Sequence, residues 1–191
     1  GAVMKTLALG GAGRACGEAV RDLAEFFDFQ KLTVADANET AARKLTEELN
    51  DERIGALFLD LDDPHAAVSK MRTYDVIMDG TPIRLNERST RCIAEAGCHG
   101  INLNGFGDEY PYDDLFRRQG KTHVPGFGMT PGVTDMMIRR AADQLDNVDT
   151  VRISHGAFRP IAFSPSIAET TIYEYDPNLP GRMVFEDGRF V

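Results

Sequence analysis

The sequence predicts an α/β protein: a doubly wound parallel sheet, followed by the start of a second α+β domain with a mostly antiparallel sheet. Three observations carry the prediction. Short apolar strands alternate with amphipathic helices over residues 1–128. A glycine-rich turn, "GGAGRACG" at 10–17, joins the first strand to the first helix. From residue 129 a long helix leads into segments rich in β-branched and aromatic residues.

The elements follow in order. Thr6 to Leu9 is the first strand, and Cys16, Val20, Leu23, Ala24 and Phe27 share one face of the helix after it. "KLTVAD" (31–36) is the second strand, and Ala41, Ala42, Leu45 and Leu49 mark the second helix. "IGALFLDL" (54–61) has little polar alternation, which predicts a strand covered on both faces. Asp63 and Pro64 read as the N-cap and first residue of a helix through Met71. "YDVIMDG" (74–80) is the fourth strand, and a helix from Leu85 to Ala96 stops at Gly97. "GINL" (100–103) and "THVPG" (122–126) flank a short helix near 109–119.

A helix then runs from Thr130-Pro131-Gly132 to Leu145, with Val133, Met137, Ile138, Ala141 and Leu145 on its apolar face. "DTVRISHGAF" (149–158), "ETTIYEY" (169–175) and "RMVFEDGRFV" (182–191) read as strands, with Asp187-Gly188 as a hairpin turn. Domains are therefore expected at 1–128 and 129–191. A further strand is expected after the last turn, so either the chain continues or this is a smaller, complete form.

Bulk properties exclude some classes. A net charge of -9 argues against nucleic acid and anionic membranes, which need a basic face. No apolar run approaches the roughly 18–20 residues of a membrane span. Cys16, Cys92 and Cys98 form an odd set without a C-x-x-C pair, which fits a reducing cytoplasm. Met4 reads as the natural start, and Gly1-Ala2-Val3 as a remnant of tag cleavage. His65, His99 and His123 lack metal-ligand spacing, so no metal is expected. Cys98-His99 reads as a pair of loop residues rather than a nucleophile and base.

The glycine run has two readings. It is a tight strand-to-helix turn, or it is the phosphate cradle of a Rossmann-type dinucleotide site. In the second reading Gly11, Ala12, Gly13, Arg14, Ala15 and Cys16 bring main-chain N–H groups and a positive helix end to a pyrophosphate. Gly11 and Gly13 supply the G-x-G; Cys16 stands where the third glycine belongs, and Gly17 comes one residue late. Asp36, at the end of the second strand, is placed to accept the ribose hydroxyls. Its charge would repel a 2′-phosphate, so NAD is expected, with Arg14 and Arg43 keeping NADP as the alternative. Gly80, Thr81 and Pro82 would lie by the nicotinamide ribose, or serve only as a helix-entry loop. Asp60 would flank the adenine, or play a structural part.

Taken together, "GGAGRACGEAVRDL", "VADAN", "YDVIMDGTPIRLNERSTRCIAEAGCHGINLNG", "VPGFGMTPGVTDMM" and "ISHGAFRP" resemble the saccharopine dehydrogenase-like oxidoreductases, closest to their lysine 6-dehydrogenase branch. The sequence departs from that pattern at Cys16 and at Asn102, where an aspartate is common. The resemblance implies a longer chain, a homodimer and a small amino-acid substrate. It also implies hydride transfer between nicotinamide and a carbon bearing an amine or imine. His155 is a candidate base, or a packed strand residue. Asp135 would hold an ammonium, or favour the helix dipole. Arg159 would take a substrate carboxylate, or lie at a surface. Thr130, Pro131 and Gly132, with Gly126 and Gly128, would form the substrate floor or a hinge. Two other functions compete: a non-catalytic dinucleotide-binding regulatory or scaffold protein, and a methyltransferase, which also uses a glycine-rich first turn.

Overall fold

The computed structural model describes residues 4–104, 109–129 and 131–154, together with 168, 169, 172, 185, 186, 189 and 190. The chain divides into two compact units, Gly1–Ala157 and Phe158–Val191. The first holds a six-stranded parallel sheet in the order β3-β2-β1-β4-β5-β6. Its strands are β1 (Lys5–Leu9), β2 (Lys31–Asp36), β3 (Ile54–Phe58), β4 (Val76–Asp79), β5 (His99–Asn102) and β6 (His123–Val124). The helices are α1 (Arg14–Phe26), α2 (Glu39–Leu49), α3 (Pro64–Met71), α4 (Asn86–Ala96), α5 (Asp113–Arg118) and α6 (Val133–Ala142). This is the expected doubly wound α/β fold, with the order of strand addition reversing between β1 and β4.

Side chains alternate across the sheet as strand geometry requires. Ala8, Leu32 and Val34 pack on one face with Cys16 and Val20 of α1 and Ala42 and Leu45 of α2. Leu7, Leu9 and Ala35 pack on the other with Val68 and Met71 of α3, Ile93 of α4 and Phe116 of α5. Local signals act as expected at several ends. The Asp63 carboxylate accepts from Ala66 N at 3.0 Å, with Pro64 opening α3. Gly97 closes α4 at φ +73, a conformation that costs glycine nothing sterically.

Other expectations are corrected. β3 is not fully covered on both faces: Phe58 is exposed and Gly55, Ala56 and Leu57 are only half-buried, and among the described strands β3 is also the outer one. An apolar run cannot tell a central strand from an edge one. Phe27 leaves the buried face of α1, because the chain turns extended there and points it to solvent. α6 is shorter than predicted and carries no buried residue, so Val133 and Met137 are exposed. No described residue covers them. Residues 149–154 of the strand expected at 149–158 form none, and Val151 and Ile153 are exposed. Within the predicted strand 169–175, the described Glu169 and Ile172 are helical.

In the second unit β7 (Phe185–Glu186) pairs antiparallel with β8 (Arg189–Phe190), in keeping with the predicted hairpin. No helix among the described residues is long and apolar enough to cross a membrane.

Candidate dinucleotide-binding site

Three chain segments converge at the carboxyl edge of the sheet, beside the crevice between β1 and β4: the loop after β1, the end of β2 and the loop after β4. In such a sheet this is where ligands bind. The first loop leaves β1 through Gly10, at φ +64, and is pinned by Gly11 N to Ala35 O at 3.1 Å. A Cβ on Gly11 would lie 2.6 Å from Ala8 O and 3.0 Å from Val34 Cγ1, so this glycine serves close packing on β1 and β2. Gly13, exposed and extended, caps α1, and no side chain caps the helix. The N–H groups at the start of a helix have no intrahelical acceptor, so this end is open to an anion. Arg14 and Ala15 are exposed on the first turn, while Cys16 points into the core.

Asp36 closes onto this loop. One carboxylate oxygen accepts from Ala12 N at 3.1 Å and the other from Asn38 N at 2.9 Å. An ionised carboxylate offers about four lone-pair sites, so two backbone bonds orient it and leave capacity for sugar hydroxyls. A shallow groove of about 270 Å³ adjoins the loop between α1 and α2; Ala12, Gly13, Arg14, Arg21, Lys44 and Glu48 are among its lining residues. Arg43 is paired with Glu39 on its own helix. Asp60 is used locally: its Oδ1 accepts from Asp62 N at 2.9 Å in the turn before α3.

The third glycine of the motif is replaced by a reciprocal fit. Cys16 fills the space between α1 and the loop after β4, and a Cβ on Gly80 would lie 2.4 Å from Cys16 Cβ. Gly17 is not a displaced third glycine, since its added Cβ would make only ordinary contacts at 3.6 Å and beyond. Burial pushes the Cys16 thiol up to about 12, so it is an inert packing group. Cys92 and Cys98, also free and buried, are pushed up to about 11.

Asp79, the last residue of β4, is buried, a site feature that the spacing of the sequence does not predict. Burial pushes its carboxyl up, against the opposing bonds from Ser89 and Thr81. Oδ1 accepts from Thr81 N at 2.9 Å. The Ser89 hydroxyl lies within reach of both Asp79 Oδ2 and the Asn86 carbonyl. One hydroxyl hydrogen serves only one acceptor. A proton on Asp79 would donate to Ser89 Oγ and free Ser89 to donate to Asn86. Asp79→Asn reproduces that arrangement. A carboxyl raised by folding takes up a proton on folding, so wild type loses stability as pH rises from the ordinary carboxylate range through the folded value. Asp79→Asn should therefore gain on wild type as pH rises. Urea midpoints of both proteins at about pH 4 and about pH 8 check this; a constant difference would count against it.

Pro82 follows Thr81 in an extended conformation and opens a 3-10 turn at Ile83–Leu85. Asn86, Asn102 and Glu109 are also buried at this edge. The signal for them was present: Asp79 and Asn102 are polar ends of otherwise apolar strands, and Asn86 and Ser89 stand three apart on a helix. Asp135 acts as a cap, its Oδ2 accepting from Gly132 N at 3.0 Å. Pro131 and Gly132 lie beside Gly128, with Gly128 N donating to Pro131 O at 2.9 Å. Thr130, His155 and Arg159 lie outside the described residues. Among the described residues no three His, Cys, Asp or Glu side chains cluster as metal ligands.

An open helix start, a glycine turn against the strands and an acid fixed beside it define a dinucleotide-binding α/β domain. Residues 7–123 match the family model of the saccharopine dehydrogenase NADP binding domain, and the chain belongs to that family. NAD(P) is thus its cofactor class, and the methyltransferase reading is set aside. Solved structures show the same fold. Apo saccharopine dehydrogenase (L-Glu forming) from Saccharomyces cerevisiae is 18% identical, with a TM-score of 0.64 over 74% of this chain and 31% of that one. UDP-N-acetylglucosamine 3-dehydrogenase from Acidithiobacillus ferrooxidans is 15% identical, with a TM-score of 0.54 over 74% of this chain and 44% of that one. The chain spans less than half the length of either protein.

Proposed function

We propose that the chain is the cofactor-binding part of an NAD-preferring oxidoreductase acting on a carbon that bears nitrogen, in an amino acid such as lysine or a lysine-derived compound. The observation that carries the cofactor half is the bond from Ala12 N to Asp36 Oδ2, which sets the acid against the phosphate loop. In this reading the first turn of α1, through Gly13, Arg14 and Ala15, holds the diphosphate. Asp36 grips the adenosine ribose and disfavours a 2′-phosphate. Gly80, Thr81 and Pro82 border the nicotinamide ribose. When bound, NAD(P) supplies the hydride acceptor.

The substrate half rests on the family likeness. Thr130, Pro131 and Gly132 would form the floor, Arg159 would take a carboxylate, and His155 would serve as base. Asp135 would hold an ammonium only by sharing its carboxylate with the Gly132 N–H. That engagement favours, as a second reading, a protein that binds the dinucleotide without turnover. A panel of amines and amino acids with NAD and with NADP, followed at the NADH absorbance on the full-length protein, tests both. Turnover of a lysine-type amine supports the enzyme. Tight NAD binding without turnover of any amine supports the second reading.

A further inference from the structure

We propose that Asn102 is a positioning residue, the hub of a buried relay that holds the nicotinamide end of the site in shape. This deepens the dinucleotide reading above and rests on it. Asn86, Asn102 and Glu109 are 0%, 2% and 7% exposed, although each carries a polar side chain. They come from three separate segments: the start of α4, the end of β5 and the turn before α5. Asn86 Nδ2 donates to Glu109 Oε1 at 2.9 Å, Asn102 Nδ2 donates to Asn86 Oδ1 at 3.0 Å, and Gly126 N donates to Asn102 Oδ1 at 3.2 Å.

The chain of bonds has one direction, and its two ends set it. A backbone N–H can only donate, so the Asn102 oxygen must face Gly126. Its amide nitrogen then faces Asn86, whose own nitrogen faces an acceptor oxygen of Glu109. The second hydrogen of Asn102 Nδ2 points toward His123 Nε2 at 3.4 Å. Burial holds the His123 imidazole below its ordinary value, which favours the neutral ring, and Nε2 accepts here in the tautomer that carries its hydrogen on Nδ1. A carboxylate at 102 would bring an acceptor to each of these acceptors. Asparagine is therefore required by the network itself.

What the relay holds is the edge of the site. The Asn102 carbonyl accepts from Phe127 N at 2.8 Å, so Asn102 grips the chain leaving β6 by both side chain and backbone. The next residue but one, Asn104, reaches the Thr81 carbonyl at 3.5 Å. The exit of β6 and the loop after β4 are thus tied together through β5. Buried hydrogen-bonded networks specify one geometry more than they add net stability. The relay is built on β5 and α4, with β4 standing between β5 and the strands that carry the glycine loop and Asp36, so its effect should fall mainly on one half of the cofactor.

The test compares NADH with ADP-ribose, which lacks the nicotinamide, by calorimetric titration of wild type, Asn102→Ala and Asn102→Asp. Wild type should bind NADH more tightly than ADP-ribose. Asn102→Ala should weaken NADH about tenfold and leave ADP-ribose within about twofold, the loss expected from one buried hydrogen-bonded hub. Asn102→Asp keeps the size of the side chain and the acceptor for Gly126 but sets a second acceptor against Asn86 Oδ1, and should weaken NADH alone, by at least as much as Asn102→Ala. If Asn102→Ala does not fold, the aspartate variant decides. Equal losses for both ligands, no loss for either, or a wild type that does not distinguish them would overturn the proposal while leaving dinucleotide binding intact. A wild type that binds neither ligand would overturn the cofactor reading and this inference with it.

Discussion

Gly80→Ala should destabilise the protein by about 3 kcal/mol or more, the upper end of what overpacking a rigid core costs. The new Cβ would sit 2.4 Å from Cys16 Cβ and 2.8 Å from its Sγ. Rotation about χ1 can move the sulfur but not the closer contact. Cys16 Cβ is fixed by the backbone of α1, and Gly80 is held by its N–H to Leu9 O at 2.9 Å. Gly80 does not have a positive φ, so the requirement is one of space rather than of backbone conformation. Relief would have to come from moving the start of α1, which is also the phosphate cradle proposed above. Dinucleotide affinity should therefore fall together with stability. Adding Cys16→Gly to Gly80→Ala should recover most of the loss, because it restores the usual third glycine and removes the clashing atoms. A glycine inside the helix costs about 1 kcal/mol, so recovery should be incomplete. Urea unfolding of the four proteins in a double-mutant cycle measures the coupling. Additive effects would show that the two side-chain positions do not compete for one space.

Asp36→Ala should loosen NAD by about 100-fold, the value of two charge-assisted hydrogen bonds at roughly 1.4 kcal/mol each. Two effects add. The ribose hydroxyls lose their acceptor, and Ala12 N and Asn38 N lose theirs, so the loop is less well ordered before the ligand arrives. NADP should be weakened less, since removing the carboxylate also removes its repulsion of the 2′-phosphate. The preference for NAD should narrow. Asp36→Asn removes the charge while keeping one acceptor oxygen, so only one of Ala12 N and Asn38 N keeps its partner, and its loss should lie between those of wild type and Asp36→Ala. Titration of each protein with NAD and with NADP reads both affinities. An unchanged ratio between the cofactors would remove Asp36 from the ribose site.

Much of this was legible in the sequence because it depends on neighbours along the chain. β2 begins and ends where its apolar run does, at Lys31 and Asp36. Asp63, Pro64 and Gly97 act through local capping geometry, and they mark helix ends wherever the helix lies. The glycine turn and Asp36 could be paired because the spacing in a strand-helix-strand unit is set by the unit itself. The errors fall where burial depends on distant residues. "IGALFLDL" reads as a strand covered on both faces, yet Phe58 is exposed and β3 pairs on one side only among the described residues. The apolar side of α6 is plain in the sequence, but whether it is covered is decided by other elements.

The sequence by itself determined the strand-helix alternation, the order of the elements, the glycine turn and the acid at the end of the next strand. Those properties come from side-chain periodicity and local backbone preference. Only the tertiary structure decided that Gly80 makes room for Cys16, that Asp79 is buried, and that Asn86 and Asn102 share a bond across 16 residues of chain. Steric exclusion and buried hydrogen bonding act between atoms that meet in space. Their partners become known only when β4, β5 and α4 are laid side by side.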